Sequence, residues 1–431
     1  MSNYLLTLIV RIVLIFGVMQ VVAIGGCYFL FRPFRNKKHW ALVFLYLMVL
    51  NSGWFFLFTP YNMSPPVRMW LEYLLLYPFF VYMLICFMLT YFFAAVVVCL
   101  FVRLVLRRVV RVLQSIRGTP DAQGDSVDLG RRSLVKALSL GIIYPVGGLS
   151  AYGMYVGGDQ LDITEQTLLF PRLPLAFNGL TIVQMTDIHA GSFMEYSRLQ
   201  GFVDIVNRLS PDIVVITGDF INGGSEFVEQ TAAALAGIRA RLGTFGVLGN
   251  HDFYGPEDDL CDRLTQAGVQ MLRNRWCPVR TESSSSPLYL AGIDDPRGSW
   301  YVNNRFSSLD AALQGIPPGS FTVLLSHRPN IFPESARRSI PLTLAGHTHG
   351  GQVVIPNPGG RGISLARMAY EHDAGLYQQA ESYLYVNRGL GVVGPPVRIN
   401  CPREISRFTL RTGSSWTMHR DRDKLTSRKC I

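Results

Sequence analysis

The sequence predicts an α/β layered domain preceded by a helical membrane region. Three observations carry that expectation. Apolar residues make up 49% of the 431 positions, and their excess lies before residue 160. From about residue 180 the pattern changes to short β-branched runs alternating with helical stretches. Nearly every run stops abruptly at a cluster of polar residues. The chain therefore divides into a multi-span membrane domain over 1–160, a globular domain over 161–412 and a disordered tail over 413–431.

Four stretches are candidates for membrane spans. IVLIFGVMQVVAIGGCYFLF (12–31) and ALVFLYLMVLNSGWFFLF (41–58) carry no charge and have the length of one crossing each. Residues 73–102 run uncharged for longer than a perpendicular span needs, which predicts tilt or an interfacial end. ALSLGIIYPVGGLSAYGMYVGG (137–158) is weaker, rich in glycine and holding Pro145. A soluble core helix accounts for any one of them, but three charge-free stretches in succession argue against it.

The connecting loops set the orientation. Arg32, Arg35, Lys37 and Lys38 follow the first span, and Arg103, Arg107, Arg108, Arg111, Arg117, Arg131, Arg132 and Lys136 follow the third. Only Arg68 lies between the second and third. Positive-inside reasoning puts the two basic loops in the cytoplasm and everything after residue 158 outside. The formal charge of +10 is then topological, and no nucleic-acid partner is expected. GRRSLVKALSLG (130–141) resembles a twin-arginine export signal in an internal position. Two more positive-inside arginines read equally well, and either way the following domain goes outward. Cys261, Cys277, Cys401 and Cys430 show no CxxC or zinc spacing.

The strand candidates of the globular part are 180–185, 212–217, 244–249, 288–293, 321–326 and 342–346, with helices over 195–209, 226–241 and 257–268. Residues 383–387 and 405–410 read as strands of a second sheet. In such folds chemistry gathers beyond the carboxyl ends of the strands. The clusters there are TDIHAG with Asp187 and His189, TGDFIN with Asp219 and Asn222, GNHD with Asn250, His251 and Asp252, SHRP with His327, and GHTH with His347 and His349. A near-extended backbone would send Asp187 and His189 the same way. Taken singly each cluster suits a surface loop. Together they hold five of the eight histidines, with no thiolate among the ligands. Oxygen and imidazole donors suit Mn²⁺, Fe²⁺ or Zn²⁺. Their number exceeds what one tetrahedral ion needs and matches two ions about 3.5–4 Å apart sharing a carboxylate.

In this order, D-x-H, G-D-x-x-N, G-N-H-D, a lone His and G-H-x-H closely resemble the calcineurin-like metallophosphoesterases over roughly 178–411. GHTHGGQ, followed by NRGLGVVGPPVRINCPREI, is most similar to a membrane-attached bacterial subgroup. The resemblance implies a four-layer αββα sandwich and two divalent metal ions. Asp187, His189 and His349 would hold the first, Asp219 would bridge, and Asn250, His327 and His347 would complete the second. A hydroxide between the ions would attack phosphorus in line, with His251 binding the phosphate or protonating the leaving oxygen. Some relatives have Asp where this chain has Asn222, which can orient an imidazole but cannot stabilise its charged form. Asp252 is the candidate substitute. Arg328 and Arg388 are candidate phosphate clamps, with surface or strand-pairing arginines as the alternative.

These expectations describe a phosphoesterase in a bacterial inner membrane, acting on a phosphomono- or phosphodiester with an apolar or lipid-linked part. The bulky residues Phe193, Met194, Phe220, Phe253, Tyr254, Trp300 and Tyr301 flank the motifs and could rim an apolar cleft. Two other readings remain. A cytoplasmic-facing pyrophosphatase of nucleotide-linked lipid precursors requires one span to be miscounted. A membrane sensor that only binds phosphorylated ligand predicts gaps in the ligand set, and none is present.

Overall fold

A computed structural model describes residues 3–30, 48–49, 51, 75, 77–117, 129–282, 284, 286–295, 305–358 and 361–413. The chain divides into two compact units, Met1–Met154 and Tyr155–Ile431.

In the first unit, helices cover Asn3–Leu30, Tyr77–Arg117 and Leu129–Tyr155. Apolar side chains with few charges leave a helix as the form that satisfies every backbone donor and acceptor without water. Ala23 packs with Cys86, Leu89 and Phe93, and the Thr90 hydroxyl donates to the Met19 carbonyl at 3.0 Å. Among the described residues two helices are long and apolar enough to cross a membrane, Pro78–Leu106 and Leu134–Asp159. Of the four expected spans, the third and fourth are thus found as such helices among the described residues. The first candidate is a shorter apolar helix over Leu14–Cys27, and the second, 41–58, lies almost wholly outside the described residues. The long uncharged stretch from residue 73 is explained by one helix running on to Arg117, so its basic end is helical.

The second unit holds two six-stranded mixed sheets, with strands β1 (Leu161–Phe170), β2 (Thr181–Met185), β3 (Ile213–Thr217), β4 (Thr244–Val247), β5 (Val269–Met271), β6 (Arg275–Val279), β7 (Leu288–Ile293), β8 (Thr322–Ser326), β9 (Leu342–Ala345), β10 (Gly375–Gln379), β11 (Ser382–Val386) and β12 (Arg403–Thr412). The orders are β1-β12-β2-β3-β4-β5 and β10-β11-β9-β8-β7-β6. Alternation explains how they pack. Ile213 and Val215 of β3 share one core with Val323 and Leu325 of β8, from the other sheet. Val214 and Ile216, which point to the opposite face of β3, are equally buried. Helix Glu257–Gln266 packs on β5, helix Arg305–Leu313 on β6 and β7, and helix Phe332–Arg337 on β11.

Two expectations need correction here. Residues 405–410 belong to β12, which lies in the first sheet, parallel to β1 and antiparallel to β2. The expected set of strands also lacks β1, which starts at Leu161, where the globular domain is expected to begin, and pairs residue for residue with β12 from Leu161↔Arg403 to Phe170↔Thr412. The tail from residue 414, and Trp300 and Tyr301, lie outside the described residues.

Candidate metal centre

The polar clusters follow β2, β3, β4, β8 and β9, and the parallel pairing of β2, β3 and β4 in one sheet and β8 with β9 in the other brings their carboxyl ends to one place. Asp187, His189, Asp219, His347 and His349, five of the seven expected ligands, have positive φ between 48° and 74°. A non-glycine residue rarely adopts that conformation, and its concentration in one site marks a geometry over-determined by its surroundings. It also corrects the expected cause of convergence. Asp187 and His189 meet through left-handed turns at φ 49° and 48°, not through extended backbone.

The side chains form three overlapping groups whose donor atoms lie within 4.8 Å of one another: Asp187, His189 and His349; His189, Asp219 and His251; and Asp219, His327 and His347. Asp187 Oδ1 is 3.3 Å from His349 Nε2, which faces His189 Nε2 at 3.1 Å. Asp219 Oδ2 stands 3.4 Å from His189 Nε2 and 3.2 Å from His327 Nε2. His327 Nε2 is also 3.2 Å from Asn250 Oδ1 and 3.1 Å from His347 Nδ1. One carboxylate oxygen thus touches both halves of the cluster.

The motif glycines have a steric reason. A Cβ on Gly346 would collide with Asp187 Oδ2, and one on Gly249 with Asp219 Oδ1. Backbone N–H groups take the remaining carboxylate lone pairs: His347 donates to Asp187 Oδ2 at 2.9 Å and His251 to Asp219 Oδ1 at 2.8 Å. Outer contacts fix the rings. His327 Nδ1 is 2.9 Å from the Thr217 carbonyl and His347 Nε2 is 2.8 Å from the Tyr370 hydroxyl, which leaves His327 Nε2 and His347 Nδ1 facing inward.

Burial pushes His189 down to about 3, with the His251 charge adding to it. Burial likewise holds His347 and His349 well below the ordinary imidazole range, aided by the neighbouring His327 and His189 respectively. These rings are neutral and offer lone pairs. Burial opposes charge on His327 too, but the charge and hydrogen bond of Asp219, with Asp187 behind it, push its pKa up to about 10. The cluster therefore calls for positive charge between its carboxylates. A donor set of imidazoles, two carboxylates and an amide oxygen, converging from two sides on Asp219, fits a pair of divalent ions.

The remaining expected residues are placed differently. His251 is half-buried, edge-on to His189 at a 4.6 Å ring separation, and its Nδ1 is 3.4 Å from the backbone carbonyl of Asn222. Orientation of His251 therefore comes from the Asn222 main chain rather than from its side chain. Asp252 does not replace the missing carboxylate. It is buried behind the loop, accepting from Gly249 N at 2.8 Å and Ile221 N at 3.1 Å, and burial with the nearby Asp219 charge raises its pKa to about 8. Arg388 is turned to Glu404 at 2.8 Å and Asp162 at 3.1 Å, so the clamp assignment gives way to its strand-pairing alternative. Arg328 is paired with Asp295, and its charge also acts on His347 and Tyr370. Among the expected rim residues Met194 and Phe220 are core and Tyr254 is exposed.

Sequence reasoning missed Tyr370, which stands in no motif. It also missed Arg398, a fully buried guanidinium that donates to the carbonyls of Arg388, Gly391 and Cys401. A cavity of about 390 Å³ opens over the centre, with Asp219, Asn250, His251, His347 and His349 in its lining.

Comparison with known proteins agrees with this geometry. Residues 180–351 match the family model described as calcineurin-like phosphoesterase. A transmembrane protein with metallophosphoesterase domain from Bos taurus is 32% identical over 272 residues, 61% of this chain and 60% of that protein. An uncharacterized metallophosphoesterase of Aquifex aeolicus is 30% identical over 252 residues, 58% of this chain and 92% of the relative. Metallophosphoesterase YkuE of Bacillus subtilis is 28% identical over 290 residues, 66% and 98% respectively. With its histidine and aspartate clusters in place, the chain belongs to the calcineurin-like metallophosphoesterases, metal-dependent hydrolases of phosphate esters.

Proposed function

We propose that this protein is a membrane-anchored, two-metal phosphoesterase that hydrolyses a phosphomono- or phosphodiester with an apolar, lipid-linked part. The observation that carries the binuclear reading is the position of Asp219 Oδ2, within 3.4 Å of His189 Nε2 and 3.2 Å of His327 Nε2. Asp187, His189 and His349 would hold one ion, Asn250, His327 and His347 the other, and Asp219 both. When bound, such a pair supplies a water acidified toward neutrality and positive charge for the phosphoryl oxygens.

The chain's own groups do the rest. The reaction adds water across a P–O bond, placing oxygen on phosphorus and a proton on the departing alkoxide. His251 lines the cavity, and with Nδ1 directed to the Asn222 carbonyl its Nε2 is the nitrogen left for a phosphate oxygen or the leaving group. Arg328 adds positive charge beside His347.

Membrane attachment is supported by the two long apolar helices and by relatives named as transmembrane proteins. The side follows from local charge alone. Arg103, Arg107, Arg108, Arg111, Arg117, Arg131, Arg132 and Lys136 cluster from the end of the first of these helices to the first turns of the second. Positive-inside reasoning puts that segment in the cytoplasm and the phosphoesterase unit on the outer face. The bilayer and the phosphoester are the partners in this reading, and nucleic acid is not.

The test is turnover of a panel of phosphate mono- and diesters by the full chain in lipid nanodiscs, with Mn²⁺, Fe²⁺ or Zn²⁺ supplied in turn. Hydrolysis that a chelator abolishes, and that His347→Ala lowers by about 10²-fold or more, is expected. Chelator-resistant hydrolysis, or wild-type rates in His347→Ala, would refute the assignment.

A further inference from the structure

The cavity over the metal centre is lined by more than polar groups. Leu365, Ala366, Ala369 and Val393 share its lining with Asp219, Asn250, His251, His347 and His349. Leu365 is 80% exposed, and Met368 on the same short helix, Leu365–Ala369, is 78% exposed. Val353, Ile355 and Ile363 add to the exposed apolar surface of this part of the chain. Of the twelve exposed large apolar residues described from Tyr155 onward, six fall on 353–368 and at 393. Isolated surface hydrophobics need no explanation, whereas a concentration beside a reactive centre does.

This surface is held in place. Ser364 caps the helix by accepting from Arg367 N at 3.1 Å, and Ala366 is buried. Ile355 and Ile363 exchange two backbone hydrogen bonds of 2.9 Å. Gln352 grips Val393 from both sides, donating to its carbonyl at 3.0 Å and accepting from its N–H at 2.7 Å. Tyr370, the residue after the helix, joins it to His347. The apolar side chains are thus displayed on a frame tied directly to an expected metal ligand.

We propose that this apolar lining, centred on Leu365 and Val393 and extended by the exposed Met368 one turn along the same helix, is the subsite for a hydrocarbon chain carried by the phosphoester substrate. The inference rests on the phosphoesterase reading and names the chemistry of its substrate. A hydrocarbon chain of the substrate is the occupant because the same cavity holds the metal ligands. A molecule with its phosphorus at the centre has its ester substituent beside these side chains. Binding there removes apolar surface of both partners from water.

The probes are ethyl and octyl p-nitrophenyl phosphate, assayed with the full chain in lipid nanodiscs, empty discs serving as the blank. The octyl ester is expected to show a KM about tenfold or more below that of the ethyl ester. The chain carrying Leu365→Asp and Met368→Asp should lose that preference, while Leu175→Asp, an exposed position away from the cavity, should retain it. Equal KM values in the wild type, or a preference that survives the double substitution, overturn the subsite. A patch that met the bilayer instead of substrate gives that second result. Calorimetric binding of octylphosphonate against ethylphosphonate reads the subsite without turnover. Chain-length-dependent affinity with neither of these diesters nor any phosphate monoester hydrolysed would refute the phosphoesterase reading alone. Hydrolysis with no such dependence would refute the subsite alone.

Discussion

The metal-facing and apolar parts of the cavity are built by opposite means. Asp187, His189, Asp219, His327 and His349 are buried, and four of them have left-handed backbone held by neighbouring strands. Leu365 of the lining, and Met368 beside it, are exposed on a short helix with ordinary geometry. The difference teaches which part can vary. Each metal-facing group is fixed by several others, so one change there disturbs the whole cluster. The apolar residues answer mainly to whatever occupies the cavity.

Substitutions should sharpen that contrast, beginning with the shared carboxylate. Asp219→Ala removes the oxygen common to both halves, and kcat/KM is expected to fall by about 10³-fold or more in steady-state assays. His251→Ala should lower kcat by about 10²–10³-fold while leaving metal content, measured by elemental analysis, unchanged. Equal loss of metal would show that His251 is a ligand and not a substrate-facing group. Tyr370→Phe removes the hydroxyl at His347 Nε2 and should weaken metal affinity by about tenfold, read by competition with a chelator. Leu365→Asp should change unfolding free energy by no more than about 0.5 kcal/mol, because its side chain is already in water.

The same contrast explains what was legible. β3 is an unbroken β-branched run, and β8 is a β-branched and leucine run ending at Ser326; both are buried on both faces, a pattern that survives any tertiary context. The seven expected ligand residues come together in the structure, and they could be picked out because metal chemistry restricts residue type and each motif is local. β1 was not, because LDITEQTLLF is largely half-exposed, and its partner β12 lies more than two hundred positions away. The sheet to which β12 belongs depends on that distant pairing. Asn222 and Asp252 were misread because loop geometry decides whether a main chain or a side chain meets His251. The apolar lining went unnoticed because its residues are spread through a Gly- and Pro-rich stretch without helical or strand period.

A pH series probes the frame behind the site. Glu404 is almost fully buried; burial would raise its pKa, but the Arg388 charge and hydrogen bond outweigh it and hold the group below its ordinary 4.5. A depressed carboxylate stabilises the fold fully above the unfolded-state value and loses that contribution as pH falls through the folded-state value. Thermal unfolding should therefore show an acid-side loss of stability below about pH 4.5, and Glu404→Gln should flatten it. An unchanged acid limb in the variant would remove Glu404 from that role.

Electron paramagnetic resonance of the full chain loaded with Mn²⁺ tests the shared carboxylate most directly. Two ions joined through Asp219 should give the broadened spectrum of an exchange-coupled pair, at two ions per chain, and Asp219→Ala should abolish the coupling. The resolved hyperfine pattern of isolated ions in the wild type, or a coupled signal that persists in Asp219→Ala, would contradict the account.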